Sequence, residues 1–247
     1  MTQNIYDNPD FFAGYSQLQR SRQGLDGAPE WPALRAQLPA MEGLRVVDLG
    51  CGYGWFCRWA AAEGAAEVLG LDVSERMLER ARSMELPATV GYRLADLETL
   101  ALPPASFDVA YSSLAFHYIW DLPRLFAGLR AALVPGGWLV FSIEHPVFMA
   151  SRQAGWQVGA DGRPVWPVDS YQSEGRRDTD WLGSRLVKYH RTLGTTLNAL
   201  IRAGFSVAHV EEWGPTDAQV AAQPALAMER ERPMLAIVAA RAAPASP

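Results

Sequence analysis

At 247 residues, 49% of them hydrophobic, the chain is long enough for one α/β domain with an elaboration and apolar enough for a large core. Its formal charge of −5 and pI near 5.4 argue against a nonspecific nucleic-acid binder, which needs a basic surface. No apolar run approaches the roughly 20 residues that cross a bilayer, and Met1 to Asp7 lacks the basic start and apolar segment of a signal peptide.

In chain order, Asp10 to Leu25 reads as an N-terminal helix, with Phe11, Tyr15 and Leu18 at helical spacing. Ala28 to Pro32 reads as a turn, and Ala33 to Leu38 as a short helix stopped by Pro39. Strands and helices then alternate. Strands are predicted at Arg45 to Leu49, Glu67 to Asp72, Val90 to Leu94, Phe107 to Ser112 and Trp138 to Glu144. Helices are predicted at Trp55 to Glu63, from the N-cap Ser74 to Met84, and at Leu122 to Leu133. Such alternation with continuous apolar strands predicts a parallel sheet covered on both faces.

Residues 147–187 break the rhythm, being rich in glycine, tryptophan and charge with no clear period; a functional loop or lid is expected there. Thr192 caps a predicted helix to Ala203, and Phe205 to Glu211 and Met234 to Ala240 read as the last strands. The tail from Ala242 to Pro247 is expected to be disordered. The two cysteines, Cys51 and Cys57, do not make a disulfide framework, and a reducing, cytoplasmic location is expected.

The segment Val46-Val47-Asp48-Leu49-Gly50-Cys51-Gly52-Tyr53-Gly54-Trp55 is a buried strand running through a glycine turn into a helix. Asp72, eighteen residues past Gly54, ends the next strand at the offset where a carboxylate meets a ribose diol. A dinucleotide turn would carry a third glycine where this chain has Trp55, which argues against a pyrophosphate. Asp48 beside the turn favours a cationic ligand group. Both point to an adenosine-bearing cofactor with an ammonium or sulfonium centre.

The pattern Asp-x-Gly-x-Gly-x-Gly, followed by Gly70-Leu71-Asp72-Val73-Ser74 and Met77-Leu78, resembles the class I S-adenosylmethionine-dependent methyltransferases, in particular the bacterial small-molecule type with a type 11 methyltransferase domain. The resemblance covers roughly residues 40 to 145 and implies a Rossmann-like α/β fold. Its seven-stranded, mostly parallel sheet would have helices on both faces and an antiparallel last strand. A single domain over 1–247 is expected: an N-terminal helical cap (1–40), a cofactor-binding core (41–146), an irregular substrate lid (147–187), and a C-terminal helix with closing strands (188–241).

Ligands of open parallel sheets sit outside the carboxyl ends of the strands, which picks out Gly50 to Gly54, Asp72, Asp96, Ser112 to Tyr118 and Glu144 to Pro146. With the resemblance, Asp48, Gly50, Cys51, Gly52 and Gly54 are expected to hold the methionine part of S-adenosylmethionine and Asp72 its ribose. Asp96, Val73, Leu97 and Met77 are expected around the adenine, and Tyr15 and Arg20 near the cofactor carboxylate. Ser112 and His117 complete the expected cofactor contacts. His145, His117 and His190 are candidate general bases, because imidazole titrates near neutral pH. Arg176 and Arg177 are candidates for binding a substrate anion.

After the fourth strand the chain has Ser112-Ser113-Leu114-Ala115, where amino-directed nucleic-acid and protein methyltransferases commonly carry Asn/Asp-Pro-Pro-aromatic. A small-molecule acceptor is therefore expected, with no nucleic acid, no membrane and a monomer or homodimer. No metal-ligand spacing is visible. Two other readings stand beside this one: a nicotinamide-dependent oxidoreductase, and a binding protein that holds S-adenosylmethionine without catalysis.

Overall fold

Adjacent residues along each central strand bury in opposite directions, and two cores result. The computed structural model describes residues 3–152 and 155–243. Its strands are β1 (Arg45–Leu49), β2 (Glu67–Asp72), β3 (Val90–Leu94), β4 (Phe107–Ser113), β5 (Leu133–Glu144), β6 (Gln157–Val158), β7 (Pro164–Val165), β8 (Gly175–Trp181), β9 (Ser184–His190), β10 (Phe205–Trp213) and β11 (Leu235–Ala242). Its helices are α1 (Pro9–Tyr15), α2 (Gln19–Gln23), α3 (Trp31–Ala36), α4 (Trp55–Ala62), α5 (Glu75–Arg82), α6 (Leu122–Ala132), α7 (Pro146–Ala150), α8 (Leu193–Arg202) and α9 (Asp217–Ala222). Val47, Ala110, Leu139 and Val238 face one core with α6 and α8. Their neighbours Val46, Val109, Val140 and Ile237 face the other, with α3, α4 and α5.

The seven-stranded sheet has the order β10-β11-β5-β4-β1-β2-β3. Strands β3, β2, β1, β4 and β5 run parallel, and β11 is antiparallel to both β5 and β10. The expected fold, antiparallel last strand included, is therefore present. Chain direction through the sheet reverses at β1, which pairs with β2 on one side and β4 on the other. The carboxyl ends of β1 and β4 thus flank the crevice where open α/β sheets bind ligands.

Several local expectations hold: Ser74 Oγ accepts from Met77 N at 3.1 Å, and Thr192 Oγ1 accepts from Thr195 N at 3.1 Å. Others need correction. The N-terminal helix is broken into α1 and α2, with Leu18 extended between them. Tertiary contacts decide this, since Phe11 and Tyr15 pack edge-on to Trp181 while Arg20 turns inward to Glu30. Strand β5 begins at Leu133, because Pro135 to Gly137 form a bulge where pairing with β4 shifts register.

The irregular segment is largely ordered into two hairpins, β6–β7 and β8–β9, and β9 crosses the expected boundary at residue 187. Charged side chains on the outer face of β8 hid its alternation from the sequence. Helix α9 was not foreseen, although Thr216 and Gln219 form a capping box at its start. Of the expected disordered tail, Ala242 belongs to β11 and residues 244–247 lie outside the described residues. Among the described residues no helix is long and apolar enough to cross a membrane.

Candidate active site

The glycine turn is tied to β2 before any ligand is considered. Gly50 N and Cys51 N both donate to Leu71 O, at 2.8 and 2.9 Å. Gly52 N donates to Asp72 Oδ2 at 2.8 Å and Ser74 N to Asp72 Oδ1 at 2.9 Å. Two backbone amides thus aim the Asp72 carboxylate and leave further acceptor capacity on each oxygen. Burial pushes this carboxyl up to about 6, the amides opposing the rise. Asp48 is 2% exposed and accepts from Cys57 Sγ at 3.3 Å. Burial raises it to about 7, with the nearby Asp72 charge adding to the rise.

A cavity of about 500 Å³ opens over this turn. Of the residues expected at the cofactor, Tyr15, Arg20, Gly50, Gly52, Asp72, Val73, Met77, Asp96, Leu97 and His117 line it. Asp48 and Cys51 line an adjoining space of about 100 Å³ that shares Tyr15, Arg20, Gly50 and Gly52. Asp96 Oδ1 accepts from Glu98 N at 2.9 Å, and Arg20 forks onto the fully buried Glu30 at 3.0 and 3.2 Å.

Two expected cofactor contacts lie elsewhere. Gly54 has φ +70°, and a Cβ there would stand 2.0 Å from the Tyr92 hydroxyl, so this glycine serves packing under the turn. Ser112 is fully buried and donates to Leu49 O at 2.7 Å; its neighbour Ser113 faces the cavity instead. One residue of strand register separates the two.

The three histidines divide. His117 lines the cavity, its Nδ1 accepts from Glu144 N at 3.3 Å, and burial pulls it down to about 4. His145 does not line the cavity: its Nε2 meets Glu212 Oε1 at 2.8 Å and its Nδ1 caps α7 by accepting from Val147 N at 3.0 Å. His190 is fully buried, binds Tyr171 O through Nε2 at 2.8 Å, and is also outside the lining. The expectation that these two act as bases is corrected on position, because each is turned into the protein to hold a neighbouring segment. Arg177 is likewise spent on carbonyls, those of Ala150, Arg176, Ser170 and Ser173, and Arg176 pairs with Asp178 at 2.8 Å.

The cavity is also walled by side chains from distant segments. Lys188 Nζ meets Glu144 Oε1 at 2.5 Å and stands 5.8 Å from the Tyr118 ring and 6.0 Å from the Trp181 ring. The Tyr6 and Tyr118 hydroxyls are 3.4 Å apart. Phe148 and Trp166 stack at 5.3 Å, with Arg232 against both rings and against Trp156. Sequence reasoning missed Lys188 and Tyr6. The missing signal was the alternation Leu186, Lys188, His190 on the buried face of β9, which puts a lysine where an apolar residue belongs.

These features suit an adenosyl ligand. An ideal Cβ on Gly52 meets nothing within 4 Å, so its backbone faces open space, and the anchored Asp72 carboxylate borders the same space. Comparison with known proteins agrees. A methyltransferase domain model matches residues 47–141. The crystal structure of an S-adenosylmethionine-dependent methyltransferase from Mesorhizobium loti is 60% identical, with a TM-score of 0.86, covering 88% of this chain and 100% of that one. The chain belongs to the S-adenosylmethionine-dependent methyltransferases.

An uncharacterized protein of Haemophilus influenzae is 35% identical over 217 residues, 85% of each chain. The malonyl-[acyl-carrier protein] O-methyltransferase of Erwinia pyrifoliae is 42% identical over 123 residues, and this match spans only 45% of that protein. The cofactor of this methyltransferase is S-adenosylmethionine, and S-adenosylhomocysteine is what remains after transfer. The nicotinamide alternative is thereby overturned.

Proposed function

We propose that this methyltransferase acts on a small-molecule nitrogen or oxygen nucleophile by in-line displacement inside the single cavity described above. One observation carries the reading: the cavity runs without interruption from Gly52 and Asp72 to His117, Glu144 and Lys188. Cofactor and acceptor therefore share one enclosure, as a direct transfer requires.

Bound S-adenosylmethionine supplies a methyl group already activated by its sulfonium. The protein's task is alignment, with reacting atoms about 3–3.5 Å apart, which contributes on the order of 7–11 kcal/mol. Asp72 accepts from the ribose hydroxyls, and Asp96, Leu97, Val73 and Met77 surround the adenine. Gly50 and Gly52 present backbone to the methionine part, while Arg20 and Tyr15 border its carboxylate. Asp48 and Cys51 lie behind this end. The β8–β9 hairpin, with Trp181 and Lys188, covers the acceptor end together with α7 and excludes water.

The formal charge of −5 and the walled cavity both disfavour a nucleic-acid substrate. The unpaired thiols Cys51 and Cys57 fit the cytoplasm. The test is incubation with S-adenosylmethionine labelled in its methyl group, using panels of amines, phenols and carboxylic acids beside tRNA and duplex DNA. Label is expected in a small molecule and lost in Asp72→Ala; transfer to nucleic acid alone would overturn the reading.

A further inference from the structure

The acceptor end of the cavity is rich in hydrogen-bond donors and poor in bases, and this narrows the acceptor beyond the methyltransferase reading on which it rests. Lys188 is 5% exposed, yet among the described residues its hydrogen-bond acceptor is Glu144 Oε1 alone, at 2.5 Å. An ammonium has three N–H bonds, so two are left for the cavity, beside the rings of Tyr118 and Trp181. Leaving buried donors unfilled is costly, and an anion from the substrate would fill them.

His117 adds a donor. Its Nδ1 accepts the Glu144 backbone N–H, so in the neutral ring the proton sits on Nε2. Burial keeps the ring neutral near pH 7, so it offers an N–H and no free lone pair. The Thr179 hydroxyl lines the same cavity and is buried with no hydrogen-bond partner among the described residues. Two carboxylates stand on this side. Glu144 is matched by Lys188, and Asp180 lies at the exposed rim.

A phenol or an ammonium would have to shed a proton here. His117 Nδ1 already accepts from the Glu144 backbone N–H and Glu144 Oε1 already accepts from the Lys188 ammonium, so neither of these atoms is open to that proton. A carboxylate arrives already deprotonated. We infer that the acceptor is a small carboxylic acid, bound as its carboxylate by Lys188 with His117 and Thr179, and that the product is its methyl ester. The wall of Phe148, Met149 and Trp166 gives the acid's apolar or flat body a surface to lie on. In the step, a carboxylate lone pair forms the O–CH3 bond as the CH3–S bond breaks. Its electron pair stays on sulfur, the two opposite charges cancel, and no proton moves.

The test uses the full-length protein and methyl-tritiated S-adenosylmethionine with benzoate, phenylacetate, cinnamate and hexanoate, each beside its amide and the matching amine. Methyl esters release labelled methanol in mild alkali, whereas N-methyl and ether products do not. Alkali-volatile label from at least one acid is expected, with kcat/KM level between about pH 6.5 and 9 because no proton is lost.

Calorimetry of the same acids against the protein–S-adenosylhomocysteine complex gives a second readout. Replacing the pair together, Lys188→Met with Glu144→Gln, avoids stranding a buried charge. That variant is expected to hold S-adenosylhomocysteine within about twofold of the parent and to bind acid at least about tenfold more weakly; Lys188→Arg should restore much of the loss.

Alkali-stable label on an amine or phenol, with a rate that climbs with pH, would overturn the inference and leave the methyltransferase reading standing. Binding of S-adenosylhomocysteine with no acid either labelled or bound would also overturn it. Failure to bind S-adenosylhomocysteine would count against the underlying reading itself.

Discussion

The two ends of the cavity are held by different means. At the cofactor end, backbone amides do the positioning: Gly52 N and Ser74 N fix Asp72, and Gly50 N and Cys51 N fix the turn to β2. At the acceptor end, side chains far apart in sequence hold one another, as Lys188 with Glu144 and Tyr6 with Tyr118. A backbone-built site follows from a short motif and is insensitive to what surrounds it. A side-chain-built site exists only once the hairpins have docked, so it can change its chemistry without disturbing the cofactor.

The sharpest way to break this contrast is at Asp72. On the proposed ribose contact, Asp72→Ala removes two hydrogen bonds to a charged acceptor, each worth about 1.5–3 kcal/mol, so affinity for S-adenosylhomocysteine should fall about 100-fold or more by calorimetry. A loss of less than about fivefold would mean that Asp72 does not meet the ribose.

The hairpin β6–β7 should be the next most sensitive place. Arg232 lies 4.2 Å from the Trp166 ring centre and 4.6 Å from that of Phe148, and pairs with Glu229 at 2.5 Å. Arg232→Ala should cost about 2–3 kcal/mol through lost packing and an unpaired Glu229. Hydrogen exchange should quicken in residues 155–168 and not in β1, β2 or β4. Uniform acceleration through the sheet would contradict a lid-specific role.

Asp48 sharpens the comparison through stability. Its folded value, about 7, lies above the ordinary value of 3.8. The stability linked to its protonated form is therefore complete below about pH 4 and lost as pH rises through about 7. Asp48→Asn should thus stabilise the ligand-free protein by roughly 2–4 kcal/mol at pH 8.5, with little effect at pH 4. Denaturant melts at both values test this, and equal effects would refute it.

Cofactor affinity should also follow Asp72, whose charged form is the stronger acceptor for a diol. With its carboxyl near 6, S-adenosylhomocysteine affinity should be level above pH 7. It should then weaken by about tenfold per unit below pH 6. The smallest effect is expected at His145 and His190, which face away from the cavity. His145→Gln and His190→Gln should lower the melting temperature while leaving kcat within about threefold. A loss of about 100-fold in kcat at either would return it to the chemistry.

The same division explains what could be read in advance. The order of strands and helices through residue 144, the N-caps Ser74 and Thr192, and the cavity positions of Gly52, Asp72 and Asp96 were legible, because periodicity and local turn chemistry determine them. Ser112 was misplaced by one residue, since the end of an apolar strand does not reveal which neighbour faces the crevice. The acceptor end was the least legible. Glu144 was picked out by its place at a strand end, but Lys188, Tyr6 and Thr179 come from three other segments, and nothing local ties them to it. His145 and His190 misled because a histidine at a strand end looks the same whether it faces substrate or caps a helix.

The most direct measurement is calorimetric titration of S-adenosylhomocysteine and NAD into the parent protein, Asp72→Ala, and the Lys188→Met/Glu144→Gln double variant. The parent should bind S-adenosylhomocysteine and not NAD, Asp72→Ala should lose that binding, and the double variant should keep it. Binding of NAD in its place, or an equal loss in both variants, would contradict a methyltransferase whose cofactor site is independent of its acceptor site.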